Sequence, residues 1–184
     1  MPKDPAELVG QYRGRLLIMG SAPSFWDDLE RYEKSFPEHD KMAINHVGVL
    51  YFGSFQHWAS CHMDSPIFHP QNTRAAVMNE QHEEILLHGK RNAKSEAYGW
   101  NIKDCGTSAM FATEVGLRLG YDKITLAGVP LDNSGYFYGP PSHWNDFANN
   151  KNRGLWAMAA KSWEWKERVT SMSAYTREIL GEPQ

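Results

Sequence analysis

A turn of small residues between two apolar segments is the part of this sequence whose residue types best suit ligand chemistry. Residues 16–19 are apolar, Gly20-Ser21-Ala22-Pro23-Ser24 follow, and an amphipathic segment begins at Phe25. This order is typical of a buried parallel strand that passes through a tight turn into a helix. The first N–H groups of such a helix are unpaired and lie at its positive end, so phosphate is a common ligand there. A turn without a ligand is the alternative, because the sequence matches neither GxGxxG nor the Walker loop.

The elements around this turn predict an α/β domain with a mainly parallel, Rossmann-like sheet flanked by helices. Strands are predicted at 15–19, 41–45, 57–63 and 123–129, and helices at 24–35, 74–87, 107–119, 154–166 and 171–180. Residues 1–14 are predicted to be a polar lead, and 15–184 a single domain. Within that domain, 133–152 is predicted to be a functional loop, followed by C-terminal helices over 154–180.

Polar residues follow several of these predicted strands. Asn45 and Asp64 each close a strand, Asp132 follows the apolar strand at 123–129, and Thr107-Ser108 begin a helix. Ligands of open α/β sheets lie outside the carboxyl ends of the strands. These residues therefore predict one polar pocket at that edge of the sheet.

Composition limits the classes of function. The chain has 184 residues, 41% hydrophobic residues and a net charge of −3, which favours a folded domain and argues against wrapping of nucleic acid by bulk charge. The sequence contains no apolar run of membrane-spanning length and no signal-peptide core at its start. Cys61 and Cys105 do not form a CxxC motif, so we expect both thiols to be free in a reducing cytoplasm.

In chain order, the turn at 20–24, the strand ends at Asn45 and Asp64, and the block TSAMFATEVGLRLGYDKITLAGVPLD at 107–132 carry a family resemblance. They resemble the Campylobacter-type lipooligosaccharide sialyltransferases (glycosyltransferase family 42) and the related MptE-like, DUF115-type nucleotide-binding domains. Pro130 stands where those families have an aspartate, and Asp132 is the nearest carboxylate.

The resemblance implies a transferase that binds a nucleotide or nucleotide-sugar donor, such as CMP-sialic acid, without a required metal or other cofactor. It implies His143 as the general base, because a histidine that titrates near neutrality can deprotonate an acceptor hydroxyl. It also implies that the hydroxyls of Tyr136 and Tyr138 steady the departing phosphate. The implied nucleotide-binding residues are Gly20, Ser21, Ala22, Pro23, Ser24, Asn45, Asp64, Thr107, Ser108 and Asp132. The acceptor is not identified by the sequence.

Two other functions fit the same residues. An MptE-like diphosphokinase would use ATP and Mg²⁺, with Asp64 or Asp132 holding the ion, since Mg²⁺ needs only one or two carboxylates besides phosphates. A non-catalytic module, including one encoded by a phage, would bind a nucleotide or a protein without turnover.

The C-terminal segment offers two further hypotheses. Ser171 and Ser173 precede a short predicted helix and Arg177 shares its face, so the three could grip a phosphate. An ordinary capped helix with Arg177 on the surface, or paired with Glu178 or Glu182, is the alternative. The tryptophans at 156, 163 and 165 favour a buried or subunit-contact helix, and hence self-association into a homo-oligomer.

Overall fold

The computed structural model of the protein describes residues 1–68, 72, 85–103, 105–140 and 143–184, and for 143–150 it describes the backbone alone. Its seven strands are β1 (Arg15–Met19), β2 (Asp40–Ile44), β3 (His57–Ala59), β4 (Leu86–Lys90), β5 (Tyr98–Trp100), β6 (Lys123–Ala127) and β7 (Val169–Ser171). Its α-helices are α1 (Phe25–Ser35), α2 (Val47–Leu50), α3 (Ser108–Leu119), α4 (His143–Ala159), α5 (Trp163–Arg168) and α6 (Ala174–Leu180). One 3₁₀ turn, Pro5–Leu8, precedes them.

The strands form one sheet in the order β5-β4-β3-β2-β1-β6-β7, and every pair is parallel. The α/β, Rossmann-like fold predicted from the sequence is therefore confirmed. The chain builds the sheet outward from β1 to β5 and then returns to the other side of β1 with β6. The strand order thus reverses between β1 and β6, and such a switch point opens a crevice at the carboxyl ends of the two strands.

Alternation along β1 divides the core between the two faces of the sheet. Leu17 and Met19 pack with Phe25, Leu29 and other residues on the face that carries α1 and α2. The intervening residues of β1, Leu16 and Ile18, pack on the opposite face with the apolar side chains of α3 and with Trp156 and Trp165. Since successive side chains of a strand point to opposite faces, a continuous apolar run is what a strand covered on both sides requires.

Several element boundaries differ from the prediction. Strand β3 ends at Ala59 rather than 63, and β4 occupies Leu86-Leu87, where a helix over 74–87 was predicted. Residues 74–84 of that predicted helix lie outside the described residues. Strands β4, β5 and β7 were not predicted. Their sequences, LLHGK, YGW and VTS, are too short or too polar to show strand periodicity, and His88 is buried only because hydrogen bonds satisfy its ring.

The predicted loop over 133–152 is wrong in its second half, because α4 begins at His143 and runs to Ala159. The separate helix predicted at 154–166 is correspondingly divided between the end of α4 and α5. Asparagine and glycine are weak helix formers, but their cost of up to about 1 kcal/mol per residue is readily overridden by packing. Here Trp156 is fully buried and Asn152 is 5% exposed.

The described C-terminal helices use two of the three nearby tryptophans in the core. The rings of Trp156 and Trp165 meet edge to face at 5.5 Å, whereas Trp163 is 75% exposed. Self-association remains a prediction. Within the described residues, no helix has the length and apolar character needed to cross a membrane.

A chain of hydrogen bonds between buried polar rings runs from Trp100, the last residue of β5, to Asp40, the first residue of β2. The indole Nε1–H of Trp100 donates to Nδ1 of His88 at 3.1 Å. Nε2 of His88 lies 3.0 Å from Nδ1 of His57, and Nε2 of His57 lies 2.8 Å from the hydroxyl of Tyr121. The hydroxyl of Tyr121 donates to the carboxylate of Asp40.

In this histidine chain, the indole N–H of Trp100 at one end can only donate and the carboxylate of Asp40 at the other end accepts, so the direction of every hydrogen bond is fixed. An indole nitrogen can only donate, so Nδ1 of His88 accepts and its proton is on Nε2. Nε2–H of His88 therefore donates to Nδ1 of His57, which places the proton of His57 on Nε2. Each ring then carries one proton and is neutral. Burial lowers the pKa of His57 to about 4, and burial and the neighbouring His57 lower the pKa of His88 well below its usual range.

A buried carboxylate, Asp28, ties α1 to the segments that follow β6 and β7. The side chain is 4% exposed, and its Oδ2 accepts hydrogen bonds from the N–H of Gly128 at 3.0 Å and from the hydroxyl of Ser173 at 2.6 Å. The same Ser173 hydroxyl oxygen accepts from the N–H of Val129 at 3.0 Å. The main-chain N–H groups of Gly128 and Val129, which follow β6, therefore have hydrogen-bond partners.

The histidine chain predicts that stability falls as the pH is lowered from about 6.5 toward 4. The folded-state pKa values of His57 and His88 lie below the unfolded value of 6.5, so the unfolded chain binds more protons in this window. Each such proton contributes a slope of about 1.4 kcal/mol per pH unit. Urea unfolding between about pH 7 and pH 5 measures it. His57→Gln should reduce the slope and His62→Gln, at an exposed position, should not; equal slopes in all three proteins would contradict the assignment.

Asp28→Ala should lower the free energy of unfolding by about 2–4 kcal/mol, because it strands a buried backbone N–H and a buried hydroxyl. Asp27→Ala is the matched control, since Asp27 is an exposed carboxylate in the same first turn of α1. Its loss should cost less than about 1 kcal/mol, the usual contribution of a charge near a helix end. Denaturant titrations of the two variants and the parent measure both values. Similar losses in both variants would refute the role assigned to Asp28.

Candidate functional site

A pocket opens at the switch point between β1 and β6, and we call it the strand-end pocket. Its volume is about 170 Å³. It is lined by the segments that follow β1, β2 and β6 and by the first residues of α3: Gly20, Ser21, Ala22, Ile44, Asn45, Thr107, Ser108, Ala109, Gly128, Val129, Pro130, Leu131, Asp132, Gly135 and Tyr136. A pocket is therefore present at the predicted edge of the sheet, and four of the five residues predicted for it line it: Asn45, Thr107, Ser108 and Asp132.

The turn after β1 packs directly against the turn after β6. The N–H of Gly20 donates to the carbonyl of Ala127 at 2.8 Å, and the N–H of Ala22 donates to the carbonyl of Gly128 at 3.1 Å. A Cβ on Gly20 would lie 2.4 Å from the carbonyl oxygen of Gly128, and Gly128 itself has φ +67°. The glycines are needed because the two turns approach too closely for any side chain.

Only the first part of the 20–24 turn lines the pocket. Gly20, Ser21 and Ala22 contribute to the lining, whereas Pro23 is exposed and Ser24 donates its hydroxyl to Asp28 at 3.2 Å. Ser24 stands at the N-cap position of α1 without capping it. The prediction of Pro23 and Ser24 as pocket residues is thus not matched by their positions.

Asn45 brings an amide group to the pocket from the end of β2. Its φ of +49° is the left-handed conformation that asparagine tolerates better than most residues. Its Oδ1 accepts from the hydroxyl of Ser60 at 2.7 Å, and its main-chain carbonyl accepts from the indole of Trp58 at 2.8 Å. With its oxygen fixed as the acceptor, the side-chain NH₂ is oriented as a donor group.

The N-terminus of α3 forms another part of the pocket lining. Thr107 caps this 12-residue helix, its Oγ1 accepting from the N–H of Met110 at 3.1 Å. Ser108 and Ala109 line the pocket within the first turn, where main-chain N–H groups have no intrahelical acceptor. The hydroxyl of Ser108 accepts from the N–H of Cys61 at 3.2 Å, which ties the helix start to the segment after β3.

Asp132 is the carboxylate of the pocket lining. Its Oδ1 accepts from the N–H and the hydroxyl of Ser134, the former at 2.9 Å, in a tight turn after β6. Leu131 precedes it at φ +53°, and the carbonyl of Leu131 accepts from Nε of Arg153 at 3.0 Å. A left-handed leucine is strained, so this contact with Arg153 helps to hold the backbone that positions Asp132.

Tyr136 and Tyr138 form a parallel stack at the rim of the pocket, with ring centroids 5.0 Å apart and an interplanar angle of 6°. A tight turn produces the stack: N–H and C=O groups of Tyr136 and Gly139 pair with each other, and the N–H of Phe137 donates to the carbonyl of Ser21 at 2.8 Å. Tyr136 lines the pocket and Tyr138 is 43% exposed beside it. Partial burial and the neighbouring Tyr136 raise the pKa of Tyr138, so its hydroxyl stays protonated at neutral pH and can donate a hydrogen bond.

Other predicted residues lie elsewhere. Asp64 is exposed and does not line the pocket, because β3 ends five residues before it. The side chain of His143 lies outside the described residues, and the backbone places it at the first position of α4. No group of three or more His, Cys, Asp or Glu side chains suited to a metal ion occurs in the described part of the chain.

The proposed phosphate grip of Ser171, Ser173 and Arg177 is wrong. The Ser171 hydroxyl pairs with that of Thr176 at 2.7 Å, and the hydroxyl of Ser173 donates to Asp28, so both are used inside the fold. Ser173 makes no side-chain cap, and Arg177 pairs with Glu182 at 3.2 Å. The segment is an ordinary terminal helix, as the alternative hypothesis had it.

The pocket residues that were not predicted are mainly apolar or glycine. Ile44, Ala109 and Val129 form walls, and their signal in the sequence was only that each adjoins a predicted strand end or helix start. The burial of Asp28 was also not predicted. Acidic residues are common in the first turn of a helix because they interact favourably with its positive end, so the residue type gave no sign of burial.

The electrostatic character of the strand-end pocket comes from neutral donors. Among the described residues that line it, none is lysine or arginine, and Asp132 carries the one formal charge. The donors available are the amide of Asn45, hydroxyls, and the main-chain N–H groups at the start of α3. Such a set can hold an anionic or polar ligand by directed hydrogen bonds and the positive helix end rather than by ion pairs.

Comparison with known proteins adds no relative: no protein-family model, no curated protein and no solved structure matches the chain.

Proposed function

We propose that the chain binds a nucleotide or nucleotide-sugar donor in the strand-end pocket and acts as a glycosyltransferase-like transferase. The observation that carries the proposal is the convergence of the 20–22 turn, Asn45 and the N-terminus of α3 at the switch point of a parallel sheet. Sites of this kind characteristically hold the phosphates of nucleotides.

The size of the pocket supports a ligand that extends beyond it. Its volume of about 170 Å³ is below the range of about 300–1,000 Å³ that is usual for pockets enclosing a whole small molecule. A nucleotide would therefore place its phosphate against Ser108 and Ala109, and the rest would emerge beside the stacked rings of Tyr136 and Tyr138. Aromatic faces bind bases and sugar-like rings by stacking, and tyrosine hydroxyls donate to charged oxygen.

The proposed glycosyl transfer requires that one proton be removed from the acceptor. An acceptor hydroxyl attacks the donor carbon, its O–H bond breaks, and the proton passes to His143 as the nucleotide phosphate departs. A hydroxyl from the tyrosine pair donates to the phosphate as negative charge develops on it.

A Mg²⁺-dependent diphosphokinase is the second candidate, and the position of Asp132 favours it. This carboxylate lines the pocket, whereas Asp64 does not. In this alternative, Asp132 and the phosphates of ATP would hold the ion.

A thermal-shift panel distinguishes these functions. CMP, CMP-sialic acid, UDP-sugars, GTP and ATP, each with and without Mg²⁺, should include at least one ligand that raises Tm by several degrees when it is present far above its Kd. Cytidine nucleotides acting without metal would support the glycosyltransferase, and ATP acting only with Mg²⁺ would support the diphosphokinase. If no nucleotide shifts Tm, both enzyme proposals are wrong.

Asn45→Asp should weaken binding of the stabilising nucleotide by at least about tenfold. The substitution keeps the size and shape of the side chain but places a negative carboxylate near the negative phosphate, which it repels. Aspartate also tolerates the left-handed backbone of this position. Asn101→Asp is the matched control, an equal charge change at an exposed site outside the pocket. Calorimetric titration of both variants measures the effect, and equal affinities would place the nucleotide somewhere else.

His143→Ala should leave nucleotide binding intact and lower turnover about 10²–10⁴-fold, the usual contribution of a general base. Release of free nucleotide from the sugar nucleotide that stabilises the protein best, with water as the acceptor, measures turnover. His62→Ala, at an exposed histidine, should keep the parental rate. Undiminished turnover in His143→Ala would show that another group takes the proton.

A further inference from the structure

Arg153 is a half-buried arginine of α4 that lies beside the strand-end pocket. Its Nε–H donates to the main-chain carbonyl of Leu131, a residue of the pocket lining, at 3.0 Å. The guanidinium lies over the ring of Tyr175, with its central carbon 4.6 Å from the ring centroid, and the hydroxyl of Tyr175 donates to the main-chain carbonyl of Arg153 at 3.4 Å. A hydrogen bond at the inner nitrogen and an aromatic ring on one face therefore hold the guanidinium in place.

The same part of α4 also packs against the segment that leads into α3. Asn152 is 5% exposed, and its side-chain oxygen lies where a Cβ on Gly106 would have to be. Gly106 comes directly before Thr107, the N-cap of α3. Asn152 and Arg153 thus connect α4 to the start of α3 and to the segment after β6, and both of these line the pocket.

The charge of Arg153 has no carboxylate partner within the described part of the chain. Among the described residues, its Nη1 and Nη2 make no hydrogen bond and the guanidinium takes part in no ion pair. Oδ1 of Asp132, the residue after Leu131, accepts from the N–H and the hydroxyl of Ser134. A charge that is partly withdrawn from water is normally paired, and the outer edge of a guanidinium can make a pair of parallel hydrogen bonds to a phosphate or a carboxylate.

We propose that Arg153 binds a second anionic group of the nucleotide, a further phosphate or a carboxylate, beside the phosphate at the start of α3. This inference rests on the proposed function and narrows its ligand to a nucleotide derivative with more than one anionic group. The positive charge of Arg153 also offsets that of Asp132, which would otherwise repel such a ligand. Arg153 contacts the ligand in this proposal and takes no proton from the acceptor.

A purely structural role for Arg153 predicts a different pattern of binding. If Arg153 only supports the left-handed backbone of Leu131, its loss affects every ligand of the pocket alike. If it binds a second anionic group, its loss affects only ligands that carry one. Pairs of ligands that differ in this group alone therefore separate the two roles.

Calorimetric titration without Mg²⁺ compares the nucleoside monophosphate and diphosphate that carry the base of the best-stabilising nucleotide. The parent should bind the diphosphate at least about tenfold more tightly. Arg153→Gln should remove most of this preference and change the affinity for the monophosphate less than about threefold. CMP and CMP-sialic acid form a second pair, in which the added anionic group is a carboxylate.

Lys151→Gln is the matched control, because it removes an equal charge from an exposed position of the same helix. It should keep the parental preference in both pairs. Arg153→Lys keeps the charge without the planar fork and should retain part of the preference, which provides a second test if Arg153→Gln is destabilised. Equal losses for both members of a pair, an unchanged preference in Arg153→Gln, or no preference of the parent in either pair would overturn the inference.

Inorganic pyrophosphate separates this inference from the proposed function. Far above its Kd, it should raise the Tm of the parent and of Lys151→Gln, and raise that of Arg153→Gln clearly less. If no nucleotide binds while pyrophosphate acts through Arg153, the proposed function is wrong and the anion site stands. If nucleotides bind independently of Arg153, the anion site is wrong and the proposed function stands. If neither nucleotides nor pyrophosphate bind, both are wrong.

Discussion

The hydrogen bonds of Asp28 join the segments on which the strand-end pocket depends. One carboxylate oxygen from α1 holds the N–H of Gly128 and the hydroxyl of Ser173, and that hydroxyl in turn holds the N–H of Val129. The turn after β6 is thereby fixed against the turn after β1, where Gly20 and Gly128 leave no room for a side chain. The pocket wall formed by these turns consists of main-chain atoms. Its buried N–H groups need hydrogen-bond partners inside the protein, because an unsatisfied buried N–H group would favour a different backbone conformation.

Buried polar groups are satisfied in two different ways in this fold. In the histidine chain from Trp100 to Asp40, the ring nitrogens of Trp100, His88 and His57 all have partners within the protein, so these groups require no ligand. At the carboxyl end, the amide of Asn45 and the first N–H groups of α3 face a cavity. Polar groups that the fold orients and leaves to the cavity are the physical basis for expecting a ligand there.

The strong apolar strands and the small-residue turn made the central fold predictable. Residues 16–19 are apolar, as are 124–127 apart from Thr125, and the pocket is lined by Ser21, Asn45 and Asp132, which follow β1, β2 and β6. The outer strands could not be predicted, because β4 contains a buried histidine that only its hydrogen-bond partners stabilise. Nor could the burial of Asp28 and Ser173, because their hydrogen bonds join residues that are 100 and 145 positions apart in the sequence, which no local pattern records.

The central claim is that the strand-end pocket binds the phosphate end of a nucleotide through the start of α3 and Asn45. Amide chemical-shift mapping by NMR during titration with the best-stabilising nucleotide tests it most directly. The account predicts saturable shifts that cluster at Ser21, Asn45, Ser108 and Ala109. Little change is expected at His57, the first residue of β3, or at Tyr121, which precedes β6. Saturable shifts confined to other surfaces, with these four amides unmoved, would contradict it.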